Sequence, residues 1–307
     1  MKALRFESPG QVKEREIPTP QIARPDDVRV KMEAVSLCCR LEHSFFSGRR
    51  TLIPGFPCRG GAGIVEEAGP GNTSLSSGDR VVLSGQLGDL FQESVVFPGH
   101  GAQKIESGLA AAALAPSELY ARMLALLKRA EKIFRALCVV IGLGPAGLCA
   151  VMWLRVLGAR QIWALEPNEH RREKGLACGA DYVFSPNDKK AMATINGMNP
   201  ETVIECSGSH SGMTAAMGLA EKDALLFGYN DIPFQVVQSD WSEKNLTIKA
   251  QSGFGHLVWS ETADYINRSF IDPGRLITDI LPFSAAGYSQ AMRKIRSPET
   301  YGIILEF

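Results

Sequence analysis

The chain has 307 residues, long enough for about two domains of ordinary size. Hydrophobic residues make up 45% and charged residues 21%, a balance that excludes a disordered or fibrous chain. Lys plus Arg equals Asp plus Glu at 33 each, with no basic run beyond short pairs, so nothing suggests nucleic acid as a partner.

The opening Met1 to Phe6 is followed by charge rather than by an apolar stretch of about 7–15 residues, so no secretory signal is expected. From Val28 to about Gly99 short strands are predicted at 28–32, 63–67 and 80–83, each ending near turn-forming residues, which implies a β-rich domain. Over 107–136 Ala, Leu, Lys, Arg and Glu dominate. Leu119, Met123, Leu126 and Leu127 recur there with a helical period, predicting a helix that leads into a second domain. Strand-like runs then follow at 137–141, 161–165, 182–184, 202–205 and 224–227, alternating with helix-like runs. That alternation predicts a doubly wound α/β domain with a parallel sheet, because parallel neighbours need a long crossover. From about Phe254 the pattern returns to a mixed α+β tail ending in a strand at 302–307.

Seven cysteines (Cys38, Cys39, Cys58, Cys138, Cys149, Cys178 and Cys206) form an odd set without a Cys-x-x-Cys pair. Neither a disulfide framework nor a four-cysteine zinc knot is indicated, and reduced thiols in the cytoplasm fit this pattern. The apolar run 138–157 approaches the ~20 residues of a membrane span. It is interrupted by Gly142, Gly144, Pro145, Gly147 and Arg155, and no membrane partner is expected.

Those glycines have their own explanation. An apolar strand at 137–141 runs into Gly142-Leu143-Gly144-Pro145-Ala146-Gly147 and then into a helix-like segment, the context that a dinucleotide fingerprint requires. Gly142 would make the tight turn, Gly144 would let the backbone approach a pyrophosphate, and Gly147 would let helix and strand pack closely. Pro145 and Ala146 open the helix whose free N–H groups face the anion. Glu166 ends the next strand 19 residues beyond Gly147, close to the ~20 expected for the carboxylate on the adenosine ribose. It favours NAD(H) over NADP(H). His170, Arg171 and Arg172 follow and could instead hold a phosphate. A local alternative is that Glu166 caps the turn at 167–169 and the basic residues are solvated.

The order of these parts resembles the medium-chain dehydrogenase/reductase superfamily, specifically its zinc-dependent alcohol and polyol dehydrogenase branch. The residues that carry the resemblance are Pro25-Asp26-Asp27-Val28, the run from Ala62 to Gly69, Ser77-Gly78-Asp79-Arg80-Val81, the Gly142 turn, Val203-Ile204-Glu205-Cys206-Ser207-Gly208, Lys244 to Ile248, and Ile271 to Thr278. The resemblance implies a GroES-like catalytic domain made from 1–117 and 256–307, with a Rossmann domain at 118–255 and a substrate cleft at their junction. It further implies a small-molecule substrate, Ser207 and Gly208 near the nicotinamide ribose, and a homodimer paired through the Rossmann domain around 250–259. Ser207-Gly208 also reads as a plain strand-ending turn. The lobe that holds structural zinc in many relatives should follow Val82, but Leu83 to Asp89 runs straight on.

The catalytic centre departs from the family pattern. Cys38 matches the first zinc ligand and His43 the proton-relay histidine, but Arg59 stands where the second ligand, a histidine, is expected, and Gly60 where a glutamate is. An arginine side chain has no lone pair to give a metal. Arg40 replaces the Ser or Thr that contacts substrate oxygen, and Leu41 a supporting Asp. Glu118 falls at the glutamate ligand of polyol-type relatives, or else is an ordinary acid in a first helical turn. The expectation is hydride transfer without zinc. Arg59, paired with Glu118, would polarise a carbonyl, and His43 would relay the proton. A shifted zinc site on Cys38, Cys39, His43, Cys58 and Glu118, and a nucleotide-binding protein without catalysis, are the alternatives. Phe45, Phe46, Tyr120, Phe254 and Trp259 are candidates for the cleft or for the core.

Overall fold

The structure, a computed structural model, describes residues 1–8, 10–37, 60–87, 89–229, 233 and 239–307. It divides into two units, Met1–Ala121 with Gly255–Phe307, and Arg122–Phe254.

The first unit opens with an antiparallel hairpin of β1 (Lys2–Ser8) and β2 (Gln11–Glu16). Next come β3 (Asp27–Leu37), β4 (Gly60–Ala68), β5 (Arg80–Leu83), β6 (Ser94–Pro98) and β7 (Ala102–Lys104), which contain the three predicted strands. The predicted helix at 107–136 is shorter and broken, into α1 (Ala111–Leu114) and α2 (Ser117–Leu127). Pro116 lies between them, where its missing N–H and its ring oppose a continuous helix. After α2 the chain folds into turns, with the Arg129 N–H on the Leu126 carbonyl at 3.0 Å.

The second unit is a parallel sheet with intervening helices: β8 (Leu137–Ile141), α3 (Pro145–Val156), β9 (Gln161–Leu165), α4 (Glu169–Ala177), β10 (Tyr182–Phe184), α5 (Lys189–Gly197), β11 (Thr202–Glu205), α6 (His210–Leu219), β12 (Asp223–Leu226), α7 (Ser239–Ser242) and β13 (Thr247–Ala250). The order across the sheet is β10-β9-β8-β11-β12-β13. It starts at the centre with β8, grows one way to β10, then returns to place β11 on the other side of β8. Leu137, Val139 and Ile141 pack with Ile195 of α5 and with Met213, Ala216 and Met217 of α6 on one face. Val140 points the other way, toward Gly147 of α3. Four predicted strands match the observed ones, and the fifth begins one residue earlier, at Asp223. Charge hid that residue from the sequence reading; in the fold it is 1% exposed and paired with Lys249 at 2.6 Å.

The chain then returns to the first unit through α8 (His256–Asn267), β14 (Ile277–Pro282), α9 (Ala285–Lys294) and β15 (Gly302–Glu306). Strand β15 pairs antiparallel with β3, Ile303 opposite Leu37 and Leu305 opposite Val35. The seven-stranded sheet runs β14-β15-β3-β4-β5-β7, with β6 also on β3. Tyr288, Met292, Ile303 and Leu305 from the end of the chain share one core with Val30, Val35, Phe91 and Phe97 from its beginning. Tyr120 and Trp259, candidates for the cleft, are core residues, and the Trp259 indole donates to the Gly101 carbonyl at 3.0 Å. Phe45 and Phe46 lie outside the described residues. Among the described residues no helix is long and apolar enough to cross a membrane.

Candidate functional site: the carboxyl rim of the parallel sheet

All five residues of β8 are apolar and buried, which seats the strand at the centre of the sheet. At Gly142 the chain turns with φ +86°, a conformation that a side chain resists, and a Cβ there would lie 2.8 Å from the Ser207 backbone. Gly147 sits against the Gly142 carbonyl oxygen, which a Cβ would strike. Gly144 differs, because among the described residues nothing lies within 4 Å of where its Cβ would be. The fold requires the first and third glycines. The second borders open space, as it should if a ligand approaches the backbone there.

Helix α3 begins with Gly144 at its N-cap and Pro145 next, and among the described residues no side-chain cap bonds its first turn. Proline suits that place because its absent N–H would have had no helical partner. The neighbouring helices are each capped by a side-chain oxygen, α4 by Asn168, α5 by Asp188 and α6 by Ser209. Gly144, Pro145 and Ala146 are only half-buried. The positive end of α3 therefore reaches accessible space without a cap of its own, the arrangement that accepts an anion.

Glu166 follows β9 and is 4% exposed. Its Oε2 accepts the Leu143 N–H at 2.7 Å and its Oε1 the Asn168 N–H at 3.0 Å. The carboxylate thus braces the glycine turn from the next strand, and each oxygen has a second lone pair. The cap of α4 is Asn168, which accepts the Arg171 N–H at 3.0 Å. Arg172 is not simply solvated, since its Nη1 donates to the Glu166 and Pro167 carbonyls at 3.1 and 2.8 Å. The Arg171 side chain is half-buried in the first turn of α4.

Strand β11 pairs with β8 so that Glu205 lies opposite Ile141. The loops leaving these two strands lead to helices on opposite faces, and ligands of open α/β sheets bind in the crevice so formed. Glu205 is fully buried, and its Oε1 accepts the N–H groups of Ser207 and Gly208 at 2.7 and 2.9 Å and the Ser207 hydroxyl. Gly208 takes φ +61°, and a Cβ there would lie 2.5 Å from the Tyr229 carbonyl oxygen. Gly228, just after β12, packs where a Cβ would strike both Glu205 Oε2 and the Gly208 nitrogen. Ser207-Gly208 is therefore a strand-ending turn, and one fixed in shape. Sequence reasoning missed Glu205 and Gly228. An acid closing an apolar strand just before Ser-Gly was the available signal for the first; nothing local marks the second.

In the first unit Glu118 stands in the first turn of α2, as expected, but it is fully buried rather than solvated. Its Oε2 accepts the Gly85 N–H at 2.7 Å and the Ser84 hydroxyl at 3.2 Å. A Cβ on Gly60, at the start of β4, would lie 3.2 Å from the Glu118 Cβ. Cys38, Cys39, Arg40, Leu41, His43, Cys58 and Arg59 lie outside the described residues. Among the described residues no group of three or more His, Cys, Asp or Glu is placed to hold a metal ion. Burial, with a smaller push from Glu201, raises the Cys138 thiol to about 12. Burial and then the Glu205 charge raise Cys206. Both stay protonated near neutrality and are unsuited to nucleophilic attack.

Two family models match the chain, the alcohol dehydrogenase GroES-like domain over residues 24–118 and the zinc-binding dehydrogenase over residues 145–268. Together they span well over half of it. The chain belongs to the medium-chain dehydrogenase/reductase superfamily. A similar member is a probable zinc-binding alcohol dehydrogenase of Mycobacterium tuberculosis, 24% identical across 97% of this chain and 87% of that protein. Among solved structures, galactitol-1-phosphate dehydrogenase from Escherichia coli has the same fold, with 18% identity, full coverage of both chains and a TM-score of 0.88. A zinc-binding dehydrogenase from Sinorhizobium meliloti bound to NADP, 21% identical over 100% of this chain and 99% of the other, has a TM-score of 0.86.

In this medium-chain oxidoreductase residues 84–93 alone separate β5 from β6. The residues of its carboxyl rim suit a dinucleotide: among the described residues no atom near the Gly144 Cβ position and no side-chain cap on α3, and a carboxylate beside the turn.

Proposed function

We propose that this chain is an NAD(H)-dependent oxidoreductase that interconverts an alcohol and a carbonyl on a small molecule, without zinc. The observation that carries the reading is the uncapped start of α3 beside the open space at Gly144. Gly144, Pro145 and Ala146 would border the pyrophosphate, Glu166 the adenosine ribose, and Ser207 and Gly208 the other half of the cofactor. NAD(H) is preferred to NADP(H) because a buried carboxylate beside that ribose repels a 2′-phosphate, although Arg171 stands near enough in sequence to offer one a partner. When bound, the nicotinamide would supply the acceptor or donor of the hydride.

The remaining roles follow from the sequence. Arg59 would present guanidinium N–H groups to the substrate oxygen, where charge grows as the carbon–oxygen bond changes order. Glu118 would hold that guanidinium, and His43 would carry the proton between the oxygen and water, its ordinary pKa of ~6.5 suiting exchange near neutrality. Cys38 and Arg40 flank this group in sequence. The metal-free reading rests on Arg59, since a guanidinium cannot take the place of an imidazole on zinc. We also infer a homodimer. Among the described residues strand β13 has a neighbour on one side only, and Leu257, within the candidate contact segment, is 82% exposed. Trp259 is excluded from that contact by its burial. The absence of a disulfide among Cys138, Cys149, Cys178 and Cys206 supports a reducing, cytoplasmic setting.

Titration of the purified protein with NADH and NADPH, with zinc measured on the same sample by elemental analysis, tests this. NADH is expected to bind at least tenfold tighter than NADPH, and Glu166→Ala to narrow that ratio. Equal binding of the two would remove the ribose role of Glu166, and stoichiometric zinc would replace the metal-free mechanism by the shifted metal site.

A further inference from the structure

Three pieces of chain close around the Glu205 carboxylate: the loop after β11, the start of α6 and the end of β12. The first supplies two consecutive N–H groups to one oxygen. The second brings Gly212 so close that a Cβ would lie 2.8 Å from Oε1, and the third brings Gly228 against Oε2. Two adjacent amides converge on one acceptor only if the chain bends back sharply, and Gly208 at φ +61° makes that bend. Without the carboxylate both amides would lose their acceptor and the loop would repack to find others. The side chain itself is fully buried, so it can touch no ligand.

A dinucleotide lying across the crevice between β8 and β11 places one half toward β9 and the other toward β11. Glu166 and the glycine turn belong to the first side, and Glu205 to the second. We propose that Glu205 is a positioning residue for the nicotinamide half alone, acting through the shape it imposes on Ser207-Gly208. The proposal rests on the cofactor reading above.

Calorimetric titration with NADH and with ADP, which lacks the nicotinamide and its ribose, separates the halves. Glu205→Ala is expected to weaken NADH binding tenfold or more while ADP stays within twofold. Glu205→Gln, whose amide oxygen can still accept both N–H groups, should fall between it and the wild type. Gly228→Ala, which pushes on the carboxylate from β12, should show the same selective loss and decides the matter together with Glu205→Gln should Glu205→Ala not fold. Equal losses for both ligands, or no loss for either, would overturn the proposal while leaving the cofactor site standing. Failure of the wild type to bind either ligand would instead sink the cofactor reading and the proposal with it.

Discussion

The two rims of the parallel sheet use the same chemistry to opposite ends. At the amino rim three carboxylates each take a backbone N–H and a cation. Asp181 holds the Ile162 N–H at 2.7 Å and Arg155 at 2.5 Å, and Glu201 holds the Leu137 N–H at 2.8 Å and Lys132 at 3.0 Å. Asp223 holds the Glu131 N–H at 2.5 Å and Lys249 at 2.6 Å. At the carboxyl rim Glu166 and Glu205 hold loop amides and bend those loops around glycines. Neutralised acids at strand starts stabilise the sheet and leave nothing for a ligand to meet. Acids that shape backbone beside an uncapped helix organise a surface in advance of its ligand.

The largest expected effect separates the rims outright. Gly144→Val puts a side chain where no atom of the described residues lies within 4 Å of the Cβ, so the fold should keep its stability while NADH binding falls below detection by calorimetry. A variant that binds NADH like the wild type would show that the open space at Gly144 is not where the cofactor lies.

The converse is expected at the amino rim. Lys249→Ala leaves Asp223, 1% exposed, without its cation, and breaking so buried a pair costs about 3 kcal/mol. Chemical denaturation should show that loss while NADH affinity stays unchanged. A parallel fall in affinity would mean that the two rims are not independent.

Much of this was legible in the sequence because periodicity and glycine spacing are local. The strand, glycine turn and helix at 137–156 are found where the pattern put them, and Glu166 stands beside the turn. What was not legible came from tertiary approach. Hairpin β1–β2 was missed because QVKERE carries too few apolar residues to reveal its alternation. Glu205 and Gly228 lie 23 residues apart and acquire meaning only when β11 and β12 align side by side. Of the two readings open for Tyr120 and Trp259, cleft or core, burial selects the core, a choice that tertiary packing alone could make.

The smallest effect concerns Glu201 and tests whether the amino rim acts through charge. Burial alone would raise its pKa, but the Lys132 hydrogen bond and the Leu137 N–H outweigh it and hold the carboxyl below its usual 4.5. A depressed folded-state pKa means that the ionised form is favoured by folding. Its contribution is present above about pH 4.5 and is lost as pH falls through the folded-state value. Lys132 is half-exposed, so Lys132→Ala should cost less than about 1 kcal/mol at pH 7. Denaturation curves of the variant and the wild type should converge as the pH falls through the folded-state value, where Glu201 becomes neutral in both. A gap that persists in acid would assign the stabilisation to the packed stem of the lysine instead. The NADH affinity of this variant should match the wild type at neutral pH, because the charge it removes lies at the rim opposite the candidate cofactor site.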